Sequence, residues 1–481
     1  MATIKIEPLT RIEGHLEIEV TVEPVGGQNQ VVDAKSSGTT FRGFEMLLPN
    51  RDPRDAVHLT QRICGVCPVS HALAASMTLE DAFNVAPPAN GRIMRNLVLG
   101  ANYIQSHVLH FYHLAALDYI NTTGILDMSP WTPRFVTPDM VGGTLAQTLV
   151  SHYVAALAIR RKAHQMGAIF GAKLPCVATF VAGGCTEVPT EEKIADFRAL
   201  LTEIRGFIDG VFIPDVQTLG TAFPQYYSFG TGCGNLLAYG VFDLDSAGNS
   251  KLMARGRYTD GAYQTVDPAD VTEYVKYAWY TAASGNVNPA SGLTEPDAEK
   301  AGAYSWNKAP RYLNKVHELG PLARMKINGD YTGGISAMDR LMARALEAKK
   351  VADAMDGWLD ELAIGATGYQ YNTVPTSGAG IGLTEAARGA LGHWVTIADG
   401  RISRYQVITP TTWNASPRDD MDQLGPLEQA LIGVPVADQT QPVELLRVVH
   451  SFDPCLACSV HLVSPRRKSL RSGFTIQAGV V

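Results

Sequence analysis

The stretches RICGVCPVSH (residues 62–71) and DPCLACSVH (residues 453–461) decide how this chain folds, because each places two cysteines three positions apart, with a histidine soon after. They lie near opposite ends of the 481 residues. Two residues between cysteines let both sulfurs face one centre, and four sulfurs suffice to surround one metal ion. If the two pairs share a centre, the two ends of the chain meet around it.

The spacing alone leaves three kinds of site open. Four thiolates can form a structural zinc site, a pair can work as a redox dithiol, and soft sulfur also suits a transition metal or an iron–sulfur cluster. Zinc ribbons normally keep their pairs within a few tens of residues, in small units without a core of their own, and this chain needs no such support. Arg62, His71, Asp453 and His461 flank the pairs, as groups do that tune redox potential and proton affinity. A reactive centre is therefore favoured over a zinc staple.

Composition excludes several classes of protein. With 46% hydrophobic and 18% charged residues the chain is globular, and a formal charge of −7 gives no basic field for binding nucleic acid. Seven cysteines are too few for a disulfide scaffold, and Cys176, Cys185 and Cys233 are expected to be small buried hydrophobes. No signal peptide, twin arginine or transmembrane run is seen, so we expect the chain to stay in the cytosol unless a partner carries it elsewhere.

Hydrophobic periodicity predicts a predominantly helical α+β protein, with a central bundle of long helices and small antiparallel β elements at the periphery. One hairpin turns at Gly26-Gly27 and ends near Gly38, another turns at Asp399-Gly400, and a β insertion is expected over 226–266. Helical spacing covers 60–83, 92–120, 144–170, 190–208, 268–283 and 337–363.

The regions follow as one interwoven body with approximate boundaries. They are an N-terminal hairpin region 1–60, a helical core 61–225 with the first cysteine pair, a β insertion 226–270, a helical and β region 271–461 with the second pair, and a C-terminal extension 462–481. His107, His110 and His113 lie three residues apart, so their side chains spread over about 120° of a helix. We interpret them as packing and interface residues and not as a ligand cluster.

The two cysteine stretches, R-x-C-G-x-C-x-x-x-H and D-P-C-x-x-C-x-x-H, resemble the large subunit of the nickel–iron hydrogenases. Six further segments resemble that family in the same order: RIEGHL (11–16), FRGFE (41–45), RDPRDA (51–56), HFYHLAALD (110–118), EAARGALGHW (385–394) and YQVITPTTWN (405–414). A chance match to one cysteine pair is common, but a match to eight ordered motifs is not. The resemblance implies the hydrogenase large-subunit fold and reversible heterolytic cleavage of H2 into two protons and two electrons.

The resemblance also implies the metal ligands. Cys64, Cys67, Cys455 and Cys458 would bind nickel, and Cys67 and Cys458 would in addition bridge it to an iron that carries one carbon monoxide and two cyanides. Soft thiolates are consistent with a low-valent nickel.

Four flanking residues receive roles from the resemblance. Glu13 would pass protons to and from the Cys455 sulfur, and Arg388 would donate hydrogen bonds to the diatomic ligands. Asp453 would contact Arg388, and His71 would hydrogen-bond a bridging sulfur. Without the family, Glu13 would be interpreted as a solvated surface charge and Arg388 as a helix-surface residue. Asp453 would be interpreted as part of a turn and His71 as a packed core histidine.

A second metal site is implied near the C-terminus. Glu45, the backbone carbonyl of Val407 and His461 would hold magnesium or a similar ion, since oxygen ligands suit a hard cation. A buried salt bridge is the alternative.

The family further implies partners. An iron–sulfur small subunit would take the electrons and bring a twin-arginine signal, which makes a periplasmic or membrane-attached enzyme the expected form and a cytoplasmic one possible. Nickel-insertion proteins would load the metal, and an endopeptidase would then remove the extension 462–481, which has four basic residues and no acidic ones.

The pattern departs from many members at three positions. Ser106 stands in place of an aspartate, Ala387 in place of a proline and Cys176 in place of a histidine. These substitutions resemble the nickel–iron–selenium branch of the group 1 uptake enzymes, although Cys455 here occupies the selenocysteine position. Two alternatives remain: a quinone-site subunit of a respiratory complex, which shares the fold but lacks the four thiolates, and a zinc-stapled scaffold without redox activity.

Overall fold

The structure is a computed structural model that describes residues 2–41 and 43–459, with the backbone alone for 458 and 459. His461, the Cys458 side chain and the extension 462–481 lie outside the described residues. The helices are α1 (Phe44–Leu47), α2 (Asp55–Thr60), α3 (Pro68–Phe83), α4 (Ala89–Leu109), α5 (Gly143–Gly171), α6 (Glu191–Phe207), α7 (Ile213–Ala222), α8 (Pro321–Ile327), α9 (Ala337–Asp360), α10 (Pro410–Asn414), α11 (Pro426–Leu431), α12 (Val443–Ser451) and α13 (Leu456–Ser459).

Short antiparallel sheets surround these helices. The strands are β1 (Ala2–Ile6), β2 (Leu16–Val25), β3 (Gln28–Gly38), β4 (Phe180–Val181), β5 (Gly184–Cys185), β6 (Leu236–Ala238), β7 (Val241–Asp243), β8 (Lys251–Met253), β9 (Gly256–Thr259), β10 (Ala262–Gln264), β11 (Val271–Tyr274), β12 (Ala309–Tyr312), β13 (Gly378–Ala386), β14 (Gly389–Ala398) and β15 (Arg401–Ile408). The largest sheets have the orders β1-β2-β3 and β13-β14-β15.

The helical bundle is built around α4, which packs against α5 on one side and α9 on the other. Nearly every residue of α4 is buried, including Arg95, which forms an ion pair with the buried Glu80 on α3. A helix that is buried all round belongs to the interior of a large domain. The predominantly helical α+β class predicted from the sequence is confirmed.

The sheet β13-β14-β15 lies directly on α3. A Cβ at Gly380 would approach the Thr78 carbonyl oxygen to 2.1 Å, and one at Gly382 would approach the Ala74 oxygen to 2.3 Å. Because only glycine allows so close an approach of backbones, these two positions fix the sheet against the helix that directly follows the first cysteine pair. The turn between β13 and β14 is thereby held close to that pair.

The predicted hairpins are present. Gly26 and Gly27 have φ of +60° and +85° between β2 and β3, and Asp399 and Gly400 have φ of +52° and +69° between β14 and β15. Left-handed conformations at both turn positions are those of tight hairpin turns. The β insertion expected over 226–266 contains β6 to β10.

Three predicted helices differ from the structure. The helix expected over 268–283 is wrong: Pro268–Asp270 forms one 3-10 turn, and β11 then pairs antiparallel with β12. Strand pairing supplied by a distant segment overrides the local helical spacing. The helix expected over 60–83 is broken at residues 64–67, and α4 continues past Leu109 as a π-helical turn, His110–Ala115.

A segment near the N-terminus meets the segment of the second cysteine pair. Glu13 and Cys455 form a parallel β-bridge, in which the Leu456 N–H donates to the Glu13 carbonyl at 2.7 Å. Gly14 has φ of +85°, and a Cβ there would lie 2.3 Å from the Ala457 nitrogen. Any larger residue at position 14 would therefore push the two segments apart.

The segment before Glu13 is held by a buried polar cluster. His450 lies 2.9 Å from the Thr10 carbonyl through Nε2 and 2.6 Å from Asp118 through Nδ1, while Arg11 forms an ion pair with the same carboxylate. One hydrophobic core extends from β2 to α13. The domain boundaries given above stay predictions.

Candidate metal centre

Three of the four predicted cysteine ligands converge. Cys64 follows a 3-10 turn, Cys67 precedes α3, and Cys455 lies in the bridge to Glu13. Their ligand atoms all lie within 4.8 Å of one another, and the Cys64 and Cys455 sulfurs are 3.3 Å apart. All three are buried. The fourth predicted ligand, Cys458, has its side chain outside the described residues.

The sulfur geometry fits a metal site. A disulfide requires about 2.05 Å between sulfurs, so the 3.3 Å separation is a contact of two thiols. Two thiolates bonded to one metal at about 2.3 Å can be up to about 4.6 Å apart, which is close to the spread found here. The Val66 and Cys67 N–H groups both point to the Cys64 sulfur at 3.3 Å and favour its thiolate form. Soft, clustered thiolates suit nickel, iron or zinc.

Arg388 and Asp453 form a buried pair beside the sulfurs. The Arg388 Nε donates to the Asp453 carbonyl at 3.1 Å, and Nη2 lies 3.0 Å from Oδ1. Burial alone would lower the pKa of Arg388, but the Asp453 carboxylate and the three cysteines facing it keep that pKa well above its ordinary value. Arg388 is thus a fixed positive charge at the centre. The interpretation of Arg388 as a helix-surface residue is wrong, since it lies in the turn between β13 and β14.

The Arg388 guanidinium has donors to spare. Although Nη2 is close to Asp453, the two are not aligned for a hydrogen bond, and neither Nη1 nor Nη2 has a hydrogen-bond partner among the described residues. Buried donors almost always have an acceptor, so a group with lone pairs belongs beside this guanidinium. Cyanide or carbon monoxide on an iron held by the neighbouring sulfurs fits that requirement.

Glu13 lies on the outer side of the centre. Its Oε1 is 3.5 Å from the N–H of Gly65, the exposed residue between the first two cysteines, and its side chain is half-buried. Burial raises the pKa of Glu13, and the neighbouring Cys64 raises it further, while Arg388 lowers it. A carboxyl group with one long contact and a raised pKa can change its protonation state readily.

His71 belongs to a chain of polar side chains that was not predicted. Its Nδ1 lies 3.1 Å from His393 Nε2, and His393 Nδ1 lies 2.8 Å from the Tyr405 hydroxyl. His71 and His393 have further contacts besides these. The sequence signal that could have indicated this chain was the presence of His393 and Tyr405 in β14 and β15, where polar and apolar residues alternate.

Two of the three predicted magnesium ligands lie together. Glu45 Oε1 accepts the Val407 N–H at 2.9 Å, and Oε2 accepts the Thr294 hydroxyl at 2.6 Å. In an antiparallel strand the N–H and C=O of one residue point to the same side, so the Val407 carbonyl also faces Glu45. These oxygens could hold a hard cation. The third predicted ligand, His461, lies outside the described residues.

The three positions that depart from the family pattern have different surroundings. Ser106 on α4 is fully buried, and its hydroxyl has no partner among the described residues. Ala387 is buried directly before Arg388, whereas Cys176 is half-buried after α5.

The three histidines of 107–113 are packing residues, as interpreted. His107 Nε2 lies 2.8 Å from buried Glu347, and His110 Nε2 donates to the His450 carbonyl at 2.6 Å. The His113 ring packs edge-on against Tyr153. Their expected role at an interface stays a prediction.

Comparison with known proteins identifies the family. The nickel-dependent hydrogenase family matches residues 42–140 and 136–461, and a family described as HoxL-like matches residues 3–37. The large subunit of the periplasmic NiFeSe hydrogenase of Desulfomicrobium baculatum is 42% identical, over 96% of this chain and 95% of that one. The hydrogenase-1 large chain of Escherichia coli K12 is 34% identical, over 95% and 94% of the two chains.

Solved structures agree. The as-isolated oxidised Ni-Fe-Se hydrogenase of D. vulgaris Hildenborough matches with a TM-score of 0.92 and 42% identity, covering 96% of this chain and 100% of that one. The reduced, active Ni-Fe-Se hydrogenase of Desulfomicrobium baculatum matches with a TM-score of 0.90 at 42% identity, again over 96% and 100%. The fold and the cysteine cluster therefore define a hydrogenase large subunit. This chain belongs to the nickel-dependent hydrogenase family, and it is an oxidoreductase of that class.

Within residues 2–41 and 43–459, no helix is both long enough and apolar enough to cross a membrane.

Proposed function

We propose that this chain is the catalytic subunit of a nickel–iron hydrogenase, with nickel held by Cys64, Cys67, Cys455 and Cys458 and iron bridged through Cys67 and Cys458. The observation that carries the proposal is the convergence of three buried thiols beside an arginine whose Nη groups have no hydrogen-bond partner within residues 2–41 and 43–459. When bound, the nickel–iron centre with its carbon monoxide and two cyanides would split H2 heterolytically into two protons and two electrons.

Glu13 would carry the proton. The Glu13 backbone forms a β-bridge with Cys455. The half-buried Glu13 carboxyl group faces the N–H of exposed Gly65 at the edge of the centre. The raised pKa of Glu13 lies closer to neutral pH, where a general acid–base group works best. Glu13 would accept a proton from the Cys455 sulfur during H2 oxidation and return it during H2 production.

Arg388, Asp453 and His71 would orient and tune the centre. The Nη groups of Arg388 would donate to the cyanides, and Asp453 balances the arginine charge within the core. His71 would donate to a bridging sulfur, and its bond to His393 would hold the ring in place. A planar guanidinium with several N–H groups suits two neighbouring ligands better than an ammonium does.

Glu45, the Val407 carbonyl and His461 would bind magnesium or a similar ion near the C-terminus. The support is that Glu45 contacts both the Val407 backbone and Thr294. A half-buried carboxylate held by these two hydrogen bonds without a metal is the alternative, and magnesium analysis of the purified protein distinguishes the two.

The partner would be an iron–sulfur small subunit, since the centre is buried and electrons need a relay to leave it. Several relatives are themselves named large subunits or large chains. We propose a periplasmic or membrane-attached complex, with a cytoplasmic one as the alternative, loaded by nickel-insertion proteins and trimmed of 462–481 by an endopeptidase.

The test is metal analysis and infrared spectroscopy of the purified complex. We expect one nickel per large subunit, absorption bands of one carbon monoxide and two cyanides, and H2-dependent dye reduction. One equivalent of zinc, with neither nickel nor these bands, would establish the scaffold alternative. A complex that has no metal at the cysteines but reacts with quinone would establish the second alternative, a quinone-site subunit of a respiratory complex.

A further inference from the structure

We infer that Arg324 is a positioning residue that holds the turn between β13 and β14, and so aims Arg388 at the metal centre. The inference rests on the proposed role of Arg388 and adds what fixes that side chain in place. Arg324 lies on α8 and is fully buried.

All five N–H groups of Arg324 have acceptors. Nε and Nη2 donate to the two oxygens of Glu347 at 2.6 and 2.7 Å, and Nη1 donates to Glu385 at 2.6 Å. The second N–H of Nη1 donates to the Ala386 carbonyl at 3.1 Å, and the second N–H of Nη2 donates to the Ala387 carbonyl at 2.8 Å. Arg324 therefore binds the three residues that directly precede Arg388.

The carboxylates keep the arginine in this orientation. Glu347 has its pKa lowered to about 2: burial raises it, but Arg324 and the contact with His107 outweigh burial. Burial raises the pKa of Glu385 to about 7, despite its bond to Arg324. A bidentate pair with Glu347 fixes the plane of the guanidinium, and the edge opposite Glu347 is then presented to the turn.

The turn between β13 and β14 also packs closely against the N-terminus of α8, the helix that carries Arg324. Gly320, the residue before α8, has φ of +126°, and a Cβ there would lie 3.1 Å from the Arg388 carbonyl. Gly389 has φ of +139°, and a Cβ there would lie 2.7 Å from the Leu319 Cβ. With backbones this close, a shift of Arg324 or of α8 is transmitted to the position of Arg388.

Lysine cannot replace Arg324 in this arrangement. An ammonium group offers three donors around one nitrogen, whereas five acceptors on two segments, Glu347 and residues 385–387, surround the guanidinium. In Arg324→Lys at least two acceptors would lose their donor, and the Ala386 and Ala387 carbonyls would compete with two carboxylates. We expect the turn to loosen and the Arg388 Nη groups to leave their place at the cyanides.

The experiment compares the purified complexes of the wild type, Arg324→Lys and a matched control. The control is Arg311→Lys, since Arg311 is also fully buried, forms an ion pair with Asp419 and donates to several backbone carbonyls, but does not contact the turn. We expect Arg324→Lys to retain nickel, to shift the cyanide bands in the same direction as Arg388→Lys does, and to lower kcat about 10- to 100-fold. Arg311→Lys should leave the bands unchanged.

Three results would overturn the inference. The bands of Arg324→Lys could equal those of the wild type, or Arg311→Lys could shift them equally, which would show a general loss of packing. If Arg324→Lys fails to assemble, Glu347→Gln decides, because it weakens the anchor of Arg324 without changing its donors. It should shift the bands in the same direction by less, and unshifted bands would refute the positioning role.

The proposed role of Arg388 is tested separately by Arg388→Lys. If this variant retains nickel and leaves the cyanide bands unchanged, Arg388 does not contact the cyanides, and the proposal for Arg388 is wrong. If Arg388→Lys shifts the bands but Arg324→Lys does not, the role of Arg388 stands and only the positioning role of Arg324 fails.

Discussion

The two sides of the cysteine cluster differ in how tightly their charged groups are held. On the inner side, Arg388 and Asp453 are each 2% exposed and pair with one another. On the outer side, the Glu13 carboxyl group is half-buried next to exposed Gly65 and has one long polar contact. One centre thus keeps fixed charges on one side and a titrating group on the other.

The physical reason is the different cost of changing charge. On the inner side an unpaired ion is surrounded by apolar core, so Arg388 and Asp453 stay charged only as a pair. On the outer side water is near, and a carboxyl group can exchange its proton at modest cost. Protons should therefore leave past Glu13, whereas the inner side stays unchanged during turnover.

Loss of the sulfur between the two sides should have the largest effect. Cys455→Ser replaces a soft thiolate by a hard hydroxyl at the point where Glu13 and the other cysteines meet, so we expect H2 uptake to be abolished. Dye-linked H2 oxidation and nickel content measure it. Cys233→Ser, on a half-buried thiol outside the cluster, is the control and should keep both. A Cys455→Ser complex with full uptake would refute the assignment.

Glu13→Gln tests the outer side alone. The amide keeps the shape of the side chain but cannot carry a proton, so we expect nickel and infrared bands to be retained while activity falls about 100- to 10,000-fold. Isotope exchange between H2 and D2O reports the proton step. Glu19→Gln is the control, because Glu19 on β2 forms a half-buried pair with Lys35 on β3, away from the cysteines. A metal-loaded Glu13→Gln enzyme with full exchange would refute the proton role.

Asp453→Asn tests the inner side. It leaves the buried Arg388 charge without its partner, and we expect a loss of about 3–5 kcal/mol in the free energy of unfolding. The matched surface variant is Asp422→Asn, which breaks an exposed pair with Lys276 and should leave the free energy of unfolding nearly unchanged. Denaturant unfolding of both variants measures the difference. Equal losses would contradict the contrast between a fixed inner side and a solvated surface.

The smallest effect is expected for the pH dependence of stability on the inner side. Burial and the neighbouring Arg344 lower the pKa of His110 to about 3. The unfolded chain takes up this proton near pH 6.5 and the folded chain only near pH 3, so the free energy of unfolding falls as pH drops between these values, by about 1.4 kcal/mol per pH unit at most.

His110→Asn removes this titration while keeping a donor for the His450 carbonyl. We expect a shallower decline in the free energy of unfolding of the variant between pH 6.5 and 4.5 than in the wild type, measured by denaturant unfolding at each pH. His58→Asn, on the exposed face of α2, should leave the decline unchanged. Parallel curves for the wild type and His110→Asn would show that His110 is not held neutral.

Much of the fold and of the cysteine cluster could be predicted because the signals are local or carried by ordered motifs. The C-x-x-C spacing placed Cys64 and Cys67, and the Gly26-Gly27 and Asp399-Gly400 turns placed two hairpins. Residues 268–283 were wrongly predicted as a helix, because pairing with β12, almost forty residues later, is invisible in a local window.

The supporting side chains were missed for a similar reason. Arg324 and His393 act through contacts with segments far away in sequence, and the residue alone does not reveal whether it is buried. A buried arginine looks like a surface arginine until its carboxylate partners are known. The role of such residues follows from tertiary structure and not from spacing.

The most direct test of the central claim is anomalous diffraction from crystals of the purified complex, recorded at the nickel and iron absorption edges. We predict one nickel and one iron peak at the cluster, with nickel at bonding distance from the sulfurs of Cys64, Cys67 and Cys455, and iron on the side that faces Arg388. A single zinc peak there, or no peak between these sulfurs, would contradict the assignment.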